Sequence, residues 1–255
     1  MAGNLRITFI GHASVLIEMD GERILTDPLL RNRVWHLRRH RPQVDPELLS
    51  DLSAVLISHA HLDHLDFPSL RRLEWKNYLI SPRGTAQMLE KAGVQDVVEI
   101  SCGEHLEIGC ITITATQAKH DGARYRYSQQ AESLGYLISG SSRIYFAGDT
   151  ELFPEMADLA RNIKVAMLPV WGWGPNLGQG HMDPQQAAQA LQLLQPDIAI
   201  PIHWGTFLPF GLKWFLPRIL YDPPRFFASF AEKLAPEVRV IILEPGESIE
   251  LSPGD

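Results

Sequence analysis

The chain has 255 residues, of which 45% are hydrophobic, 21% charged and 9% aromatic, a balance that provides a sizeable core and excludes disorder, collagen and coiled coil. With 23 Lys and Arg against 30 Asp and Glu, the formal charge of −7 argues against a surface that tracks nucleic-acid phosphates. No run approaches the ~18 apolar residues that span a bilayer, and the first residues lack the basic start and apolar stretch of a secretion signal.

Three short strands open the chain, at 5–10, 14–18 and 23–26, and the Asp20-Gly21 pair between the last two marks a hairpin turn. A polar, Arg-rich connection at 31–41 follows, then a buried-looking strand at 54–57. Helical patterns at 67–75 and 84–92 alternate with strands at 77–81 and 97–100. Further on, strands are predicted at 111–116, 134–139, 143–147, 164–168 and 197–202, with helices at 152–161, 184–195 and 223–234. Asp183-Pro184 starts the 184–195 helix, since Asp accepts from free N–H groups and Pro suits the first helical position. The glycines of 171–180 mark a long loop. No linker rich in Pro, Gly or Ser divides the chain, so residues 1–255 are expected to form a single domain of sheets covered by helices. Cys102 and Cys110 make no disulfide framework and lack zinc-knuckle spacing, which suits a cytoplasmic protein with reduced thiols.

The chemistry concentrates after the 54–57 strand, in His59-Ala-His61-Leu-Asp63-His64. Residues two apart on extended backbone point the same way, so His59 and His61 share a side, and Asp63 and His64 follow where the chain turns. Imidazole and carboxylate suit zinc, and also manganese or iron, while the absence of thiolate disfavours a closed structural site. A catalytic centre needs further ligands from other strand ends, and His120, Asp149 and His203 each lie at or shortly after an apolar strand. An isolated His after a strand is more often a loop or core residue; the dense H-x-H-x-D-H run with matching residues downstream is what sets these apart.

This pattern resembles the metallo-β-lactamase superfamily, over nearly the whole chain. The resemblance implies an α+β fold, an αβ/βα four-layer sandwich, with a binuclear metal site at the sheet edges. It implies that His59, His61 and His120 hold one ion, that Asp63, His64 and His203 hold the other, and that Asp149 bridges them. Asp rather than Cys at 149 disfavours antibiotic cleavage. Smaller motifs, Ile10-Gly-His-Ala-Ser14, Thr26-Asp-Pro28, Gly148-Asp-Thr150, His181-Met-Asp-Pro184 and His203-Trp-Gly-Thr206, are similar to the L-ascorbate-6-phosphate lactonase group and the N-acylphosphatidylethanolamine-hydrolysing phospholipase D.

The expected activity is therefore metal-dependent hydrolysis, in which two divalent ions, Zn2+ before Mn2+ or Fe2+, activate a hydroxide against an anionic small ester, lactone or phosphodiester. Alternatives are a phospholipase D-like phosphodiesterase on lipids, a metal-dependent nuclease, a redox di-iron centre and a non-catalytic metal-binding scaffold. The expected partner is a small anionic substrate, without nucleic acid or a transmembrane segment; a homo-oligomer is compatible. Asp63 is the candidate to orient water and shuttle its proton, and His181 to contact substrate or donate a proton. Asp27 either accepts the second N–H of a ligand histidine or is a turn residue before Pro28. His12 is read as packing near a strand turn, with an approach to the site as the alternative, and His36, His40 and His105 as surface residues. Trp171, Trp173 and Trp204 either wall the pocket or fill the core edge. The aromatic stretch 207–230 either grips an acyl chain or membrane surface, or buries against the sheet or a second subunit, as the spacing of Phe226, Phe227, Phe230 and Leu234 favours.

Overall fold

The structure is a computed structural model that describes residues 5–124, 131–172 and 177–252. Its first half runs β1 (Leu5–Gly11), β2 (Ser14–Met19), β3 (Glu22–Thr26), β4 (Arg33–Val34), β5 (Leu37–Arg39), β6 (Leu52–Leu56), α1 (Phe67–Leu70), β7 (Trp75–Pro82), α2 (Ala86–Lys91) and β8 (Val97–Ile100). The second half runs β9 (His105–Ile108), β10 (Ile111–Gln117), β11 (Leu134–Ser139), β12 (Arg143–Phe146), β13 (Val165–Pro169), α3 (Pro184–Leu194), β14 (Ile198–Ile202), β15 (Phe207–Pro209), α4 (Leu212–Phe215), α5 (Asp222–Leu234), β16 (Arg239–Val240) and β17 (Ser248–Leu251). Two seven-stranded sheets result, ordered β17-β1-β2-β3-β6-β7-β8 and β16-β14-β13-β12-β11-β10-β9, with a three-stranded sheet β15-β5-β4 beside them.

Strand periodicity decides the layers. On the first sheet, Leu16, Leu25, Val55 and Leu79 stand opposite one another across four strands and join an outer cluster with Leu70 of α1 and Leu89 of α2. Their neighbours Ile17, Ile24 and Ala54 point the other way, into a central cluster shared with Ile113, Ile138, Ile144 and Val165 of the second sheet. That cluster continues to Leu191 of α3 and Phe227 of α5. Helix, sheet, sheet, helix is the expected metallo-β-lactamase sandwich. Truncating a leucine of these fully buried rows to alanine is worth about 2–5 kcal/mol.

Several expectations change. The Arg-rich 31–41 connection contains the β4–β5 hairpin, which β15 joins from far along the chain, Leu208 opposite Arg38. The predicted 152–161 helix is a 3-10 run, Pro154–Leu159, because Phe153, Met156 and Leu159 recur every third residue and all meet the core. Helix 67–75 stops at Leu70, and β7 claims Trp75. In the aromatic stretch, Phe207 and Phe227 are buried, but Phe210, Trp214, Phe215 and Phe226 are exposed, so burial accounts for only part of it. Both cysteines are free, and among the described residues no helix is long and apolar enough to cross a membrane.

Candidate metal centre

Strand direction gathers the polar residues. β3 and β6 run parallel, as do β12, β13 and β14, and β1 and β10 run the same way as their second neighbours β3 and β12. Their C-terminal ends therefore open along one edge of the sandwich, the edge where parallel sheets place ligands. His12, Asp27, His59, Asp149 and His203 each lie within three residues of such an end, and His120 follows three residues after β10. His12, Asp27 and His203 hold positive φ, at 61°, 35° and 61°. Each such residue costs about 1–3 kcal/mol, and strain of this kind persists where surrounding contacts over-determine the backbone. Here the His203 N–H donates to His12 O at 2.7 Å and the Asp27 N–H to Leu56 O at 2.8 Å.

Hydrogen bonds set which nitrogen of each imidazole faces inward. His203 Nδ1 lies 2.7 Å from Trp171 O and His120 Nδ1 2.8 Å from Gly180 O. A carbonyl only accepts, so both Nδ1 atoms carry the proton and both Nε2 atoms present lone pairs. His64 Nδ1 lies 2.7 Å from Asp27 Oδ2, which imposes the same tautomer. Ser58 extends the control: its Oγ donates to Asp27 Oδ2 at 2.6 Å and accepts from His59 Nδ1 at 2.9 Å. Asp27, fully buried, also accepts from the Ser58 N–H at 2.7 Å through Oδ1. One carboxylate thus orients two histidines.

With Nδ1 of His59, His64, His120 and His203 tied in this way, their Nε2 atoms crowd together at the centre with His61 Nδ1. His64 Nε2 and His203 Nε2 are 3.1 Å apart, and His61 Nδ1 lies 3.0 Å from His59 Nε2 and 3.1 Å from His120 Nε2. Lone pairs at that separation repel unless a cation sits between them. Asp149 points the same way: Oδ2 lies 3.2–3.4 Å from the Nε2 atoms of His203, His64 and His181, while the buried Oδ1 has no hydrogen-bond partner. Among the described residues the donor atoms form four overlapping groups, each within 4.8 Å: His59, His61 and His120; His12, Asp63, His64 and His203; His59, His64 and Asp149; and His120, Asp149 and His181. Nitrogen and carboxylate donors at this spacing fit divalent metal.

Electrostatics favour the neutral, ligand-competent form at four of the histidines, while the carboxylates favour a cation at His64. Burial pushes His203 down to about 3 and His120 down to about 4, and it holds His59 well below and His61 below the usual histidine value. Burial also opposes a charged His64, but Asp149, Asp63 and Asp27 together outweigh it and raise that group. For Asp63, burial works to raise the carboxyl, yet His64 and His12 draw it below the normal range; Asp149 is lowered in the same manner by His203 and His64. Burial resists the charge on His181, and its contact with Asp149 raises it nonetheless.

All seven predicted ligands converge. His12 does more than pack: its ring lies 3.9 Å from that of His203 and its Nε2 is 3.0 Å from Asp63 Oδ2. Asp27 is the histidine acceptor, not merely a turn residue. His181 stands at the open side of the cluster. Trp204 is a core residue, stacked 6.0 Å from Phe9 with its N–H given to Pro201 O, so it is no pocket wall. Trp171 contributes its carbonyl to His203 rather than its ring, and Trp173 lies outside the described residues. His36, read as a surface residue, lines the cleft of about 230 Å³ that contains His61, Asp63, Asp149 and His181, alongside Trp35 and Arg124. Sequence reasoning missed Ser58, Trp35 and Arg124; adjacency to His59 was the one signal for Ser58. Gly148, at φ +61°, is required because a Cβ there would lie 2.7 Å from Ser58 Cβ and 2.9 Å from Leu134 O.

With this geometry, known proteins can be compared. The family described as the Beta-lactamase superfamily domain matches residues 22–204, and the chain belongs to the metallo-β-lactamase superfamily. A UPF0173 metal-dependent hydrolase of Methanopyrus kandleri is 33% identical over 252 residues, which cover 96% of this chain and 100% of that protein. Within the superfamily, the chain is a member of the UPF0173 family of metal-dependent hydrolases. Igni18, a metallo hydrolase from Ignicoccus hospitalis, superposes with a TM-score of 0.75 at 27% identity over 98% of this chain and 99% of that one. The isothiocyanate hydrolase from Delia radicum gut bacteria shares the fold, with a TM-score of 0.74 at 19% identity over 97% of this chain and 99% of that one.

Proposed function

We propose that this metal-dependent hydrolase is a single-domain enzyme that holds two divalent ions, Zn2+ in preference to Mn2+ or Fe2+, and cleaves an anionic small ester, lactone or phosphodiester. The observation that carries the reading is the set of imidazoles, four of them with Nδ1 tied to an acceptor, whose ring nitrogens face one another at 3.0–3.1 Å beside Asp149, with its buried Oδ1 left without a partner. His59, His61 and His120 would hold one ion, Asp63, His64 and His203 the other, and Asp149 lies between the two sets. When bound, such ions supply Lewis acidity and bring the pKa of water from 15.7 to about 7.

The chain's own residues account for the rest. Two carboxylates among the seven ligands leave two divalent ions under-neutralised, and Arg124 adds a cation to the cleft wall; both favour an anionic substrate. Asp63 Oδ2, held by His12 at 3.0 Å, is placed to take and pass a proton. His12 is a positioning residue, because it reaches the reacting centre only through Asp63. His181, at the cleft surface with Nδ1 3.2 Å from Gln179 O, is placed to donate a proton from Nε2 to a leaving oxygen. The motifs shared with the lactonase and phospholipase D groups support ester and phosphodiester bonds over β-lactams.

The test is a screen of the metal-loaded protein against lactones, phosphodiesters, carboxylesters and N-acylphosphatidylethanolamines, with His59→Ala as control and metal content measured on both. Hydrolysis that disappears in the variant, with about two ions per wild-type chain, supports the reading. Activity surviving the substitution undiminished assigns the hydrolysis to another site or a contaminant.

A further inference from the structure

The second feature of the surface lies beside the cleft. Residues 28–44 and 198–221 contain no Asp or Glu, but five arginines in the first stretch and Lys213 and Arg218 in the second, in a chain of formal charge −7. Folding brings the two stretches together as the β15-β5-β4 sheet. Arg31 and Arg41 are drawn off by Asp66 and Glu244, and Arg39 is buried against backbone carbonyls. Arg33, Arg38, Lys213 and Arg218 remain exposed and make no ion pair among the described residues. Arg33 stands opposite Arg38, and both Arg38 and Lys213 act electrostatically on His40.

Apolar side chains run through these cations. Trp35 is 76% exposed, Phe210 65%, and Trp214 and Phe215 80% each. They form a continuous ridge: Trp35 packs edge-on to His36 at 4.3 Å, the Phe210 N–H donates to His36 O, and Phe210 meets Trp214 at 6.5 Å. The ridge begins at the mouth of the metal cleft, because Trp35 and His36 line it.

We propose that this aromatic and basic ridge docks the protein on an anionic phospholipid surface, with the cleft opening toward the lipid. Lys213-Trp-Phe-Leu-Pro-Arg218 is exposed throughout, an apolar tip between two cations. Trp, Phe and Leu enter the headgroup boundary while Lys and Arg meet lipid phosphates and carboxylates. A single-stranded nucleic acid fits less well: consecutive helical residues such as Trp214 and Phe215 diverge by about 100° and offer no aligned stacking row. A second copy fits less well too, since a two-fold interface on this patch sets its cations against themselves.

The experiment takes the purified, metal-loaded full chain and measures co-sedimentation with phosphatidylcholine vesicles with and without phosphatidylserine, together with tryptophan emission. Expected are binding that requires phosphatidylserine, weakens in high salt and blue-shifts the emission. The pair Trp214→Ser with Phe215→Ser, and separately Lys213→Glu with Arg218→Glu, should each lower binding at least about tenfold, with metal content and melting temperature unchanged. Equal binding by either pair, equal binding to pure phosphatidylcholine, or no binding to any vesicle overturns the proposal. In the last case, a dimer or an oligonucleotide complex lost in the same variants would assign the ridge to that occupant. None of these readouts depends on turnover.

Discussion

Asp27→Asn replaces one carboxylate oxygen by an amide NH2, and its effects can be followed bond by bond. All three groups that approach this carboxylate are donors: the Ser58 N–H and Oγ–H at 2.7 and 2.6 Å, and His64 Nδ1 at 2.7 Å. If the introduced amide oxygen keeps the Ser58 N–H, its NH2 faces Ser58 Oγ and His64 Nδ1. His64 must then move its proton to Nε2, which points an N–H where a lone pair had been. Ser58 Oγ, now accepting from the introduced amide, turns its own hydrogen toward His59 Nδ1, and His59 is driven to the same wrong tautomer. In the proposed ligand assignment the two histidines serve different ions, so both ions would be weakened. Loss of a single outer partner typically costs 10- to 100-fold in metal affinity, or about 1.4–2.8 kcal/mol; here that applies at each ion. The assay is metal content after dialysis against graded chelator, with Ser58→Ala as the comparison that disturbs His59 alone. Metal retention by Asp27→Asn within about twofold of wild type, against the tenfold minimum expected, would refute the tautomer reasoning.

Other consequences are equally accessible. His181→Ala should keep full metal content and lower kcat by about 10²–10⁴-fold with little change in KM; unchanged turnover would remove it from the reaction. Gly148→Ala forces a Cβ against Ser58 and Leu134 O at positive φ, so denaturant unfolding should show a loss of about 1–3 kcal/mol; wild-type stability would mean that the Ser58 region yields freely. In metal-free protein His120 and His203 sit below their unfolded values, at about 4 and 3, so the unfolded chain takes up protons first as pH falls below about 6.5. The contribution of raised His64 is already complete there. The melting temperature in chelator should therefore fall between pH 6.5 and 4; a rise across that window would contradict the assignment.

Strand alternation and the His59–His64 run were enough to reach layered sheets with a metal-binding strand end, because both are local; the resemblance to the metallo-β-lactamase superfamily implied the particular sandwich and the ligand assignment. A period of two decides which face of a strand is apolar, and adjacency on one strand end decides that imidazoles meet. His120, Asp149 and His203 were readable because each lies at or shortly after the end of an apolar strand, where a rigid sheet can hold a ligand. Trp171 and Trp204 were not separable in this way. Both follow a strand, but one faces the centre with its carbonyl and the other fills the core with its ring, and only the packing of β1 against β14 distinguishes them.

What tertiary structure alone decided is protonation and surroundings. Whether His59 and His64 show lone pairs inward depends on Asp27, over thirty residues away, and on a serine with no motif of its own. His12 reaches Asp63 because β1 and β6, with two strands between them, end on the same edge of the first sheet, and His36 lies in the hairpin that β15, far along the chain, joins through β5. Such contacts join segments whose spacing along the chain carries no period, so no local pattern encodes them. Composition and periodicity determined layered sheets covered by helices, and the His59–His64 run a metal-binding strand end; the meeting of distant strand ends determined which atom of each side chain faces the centre.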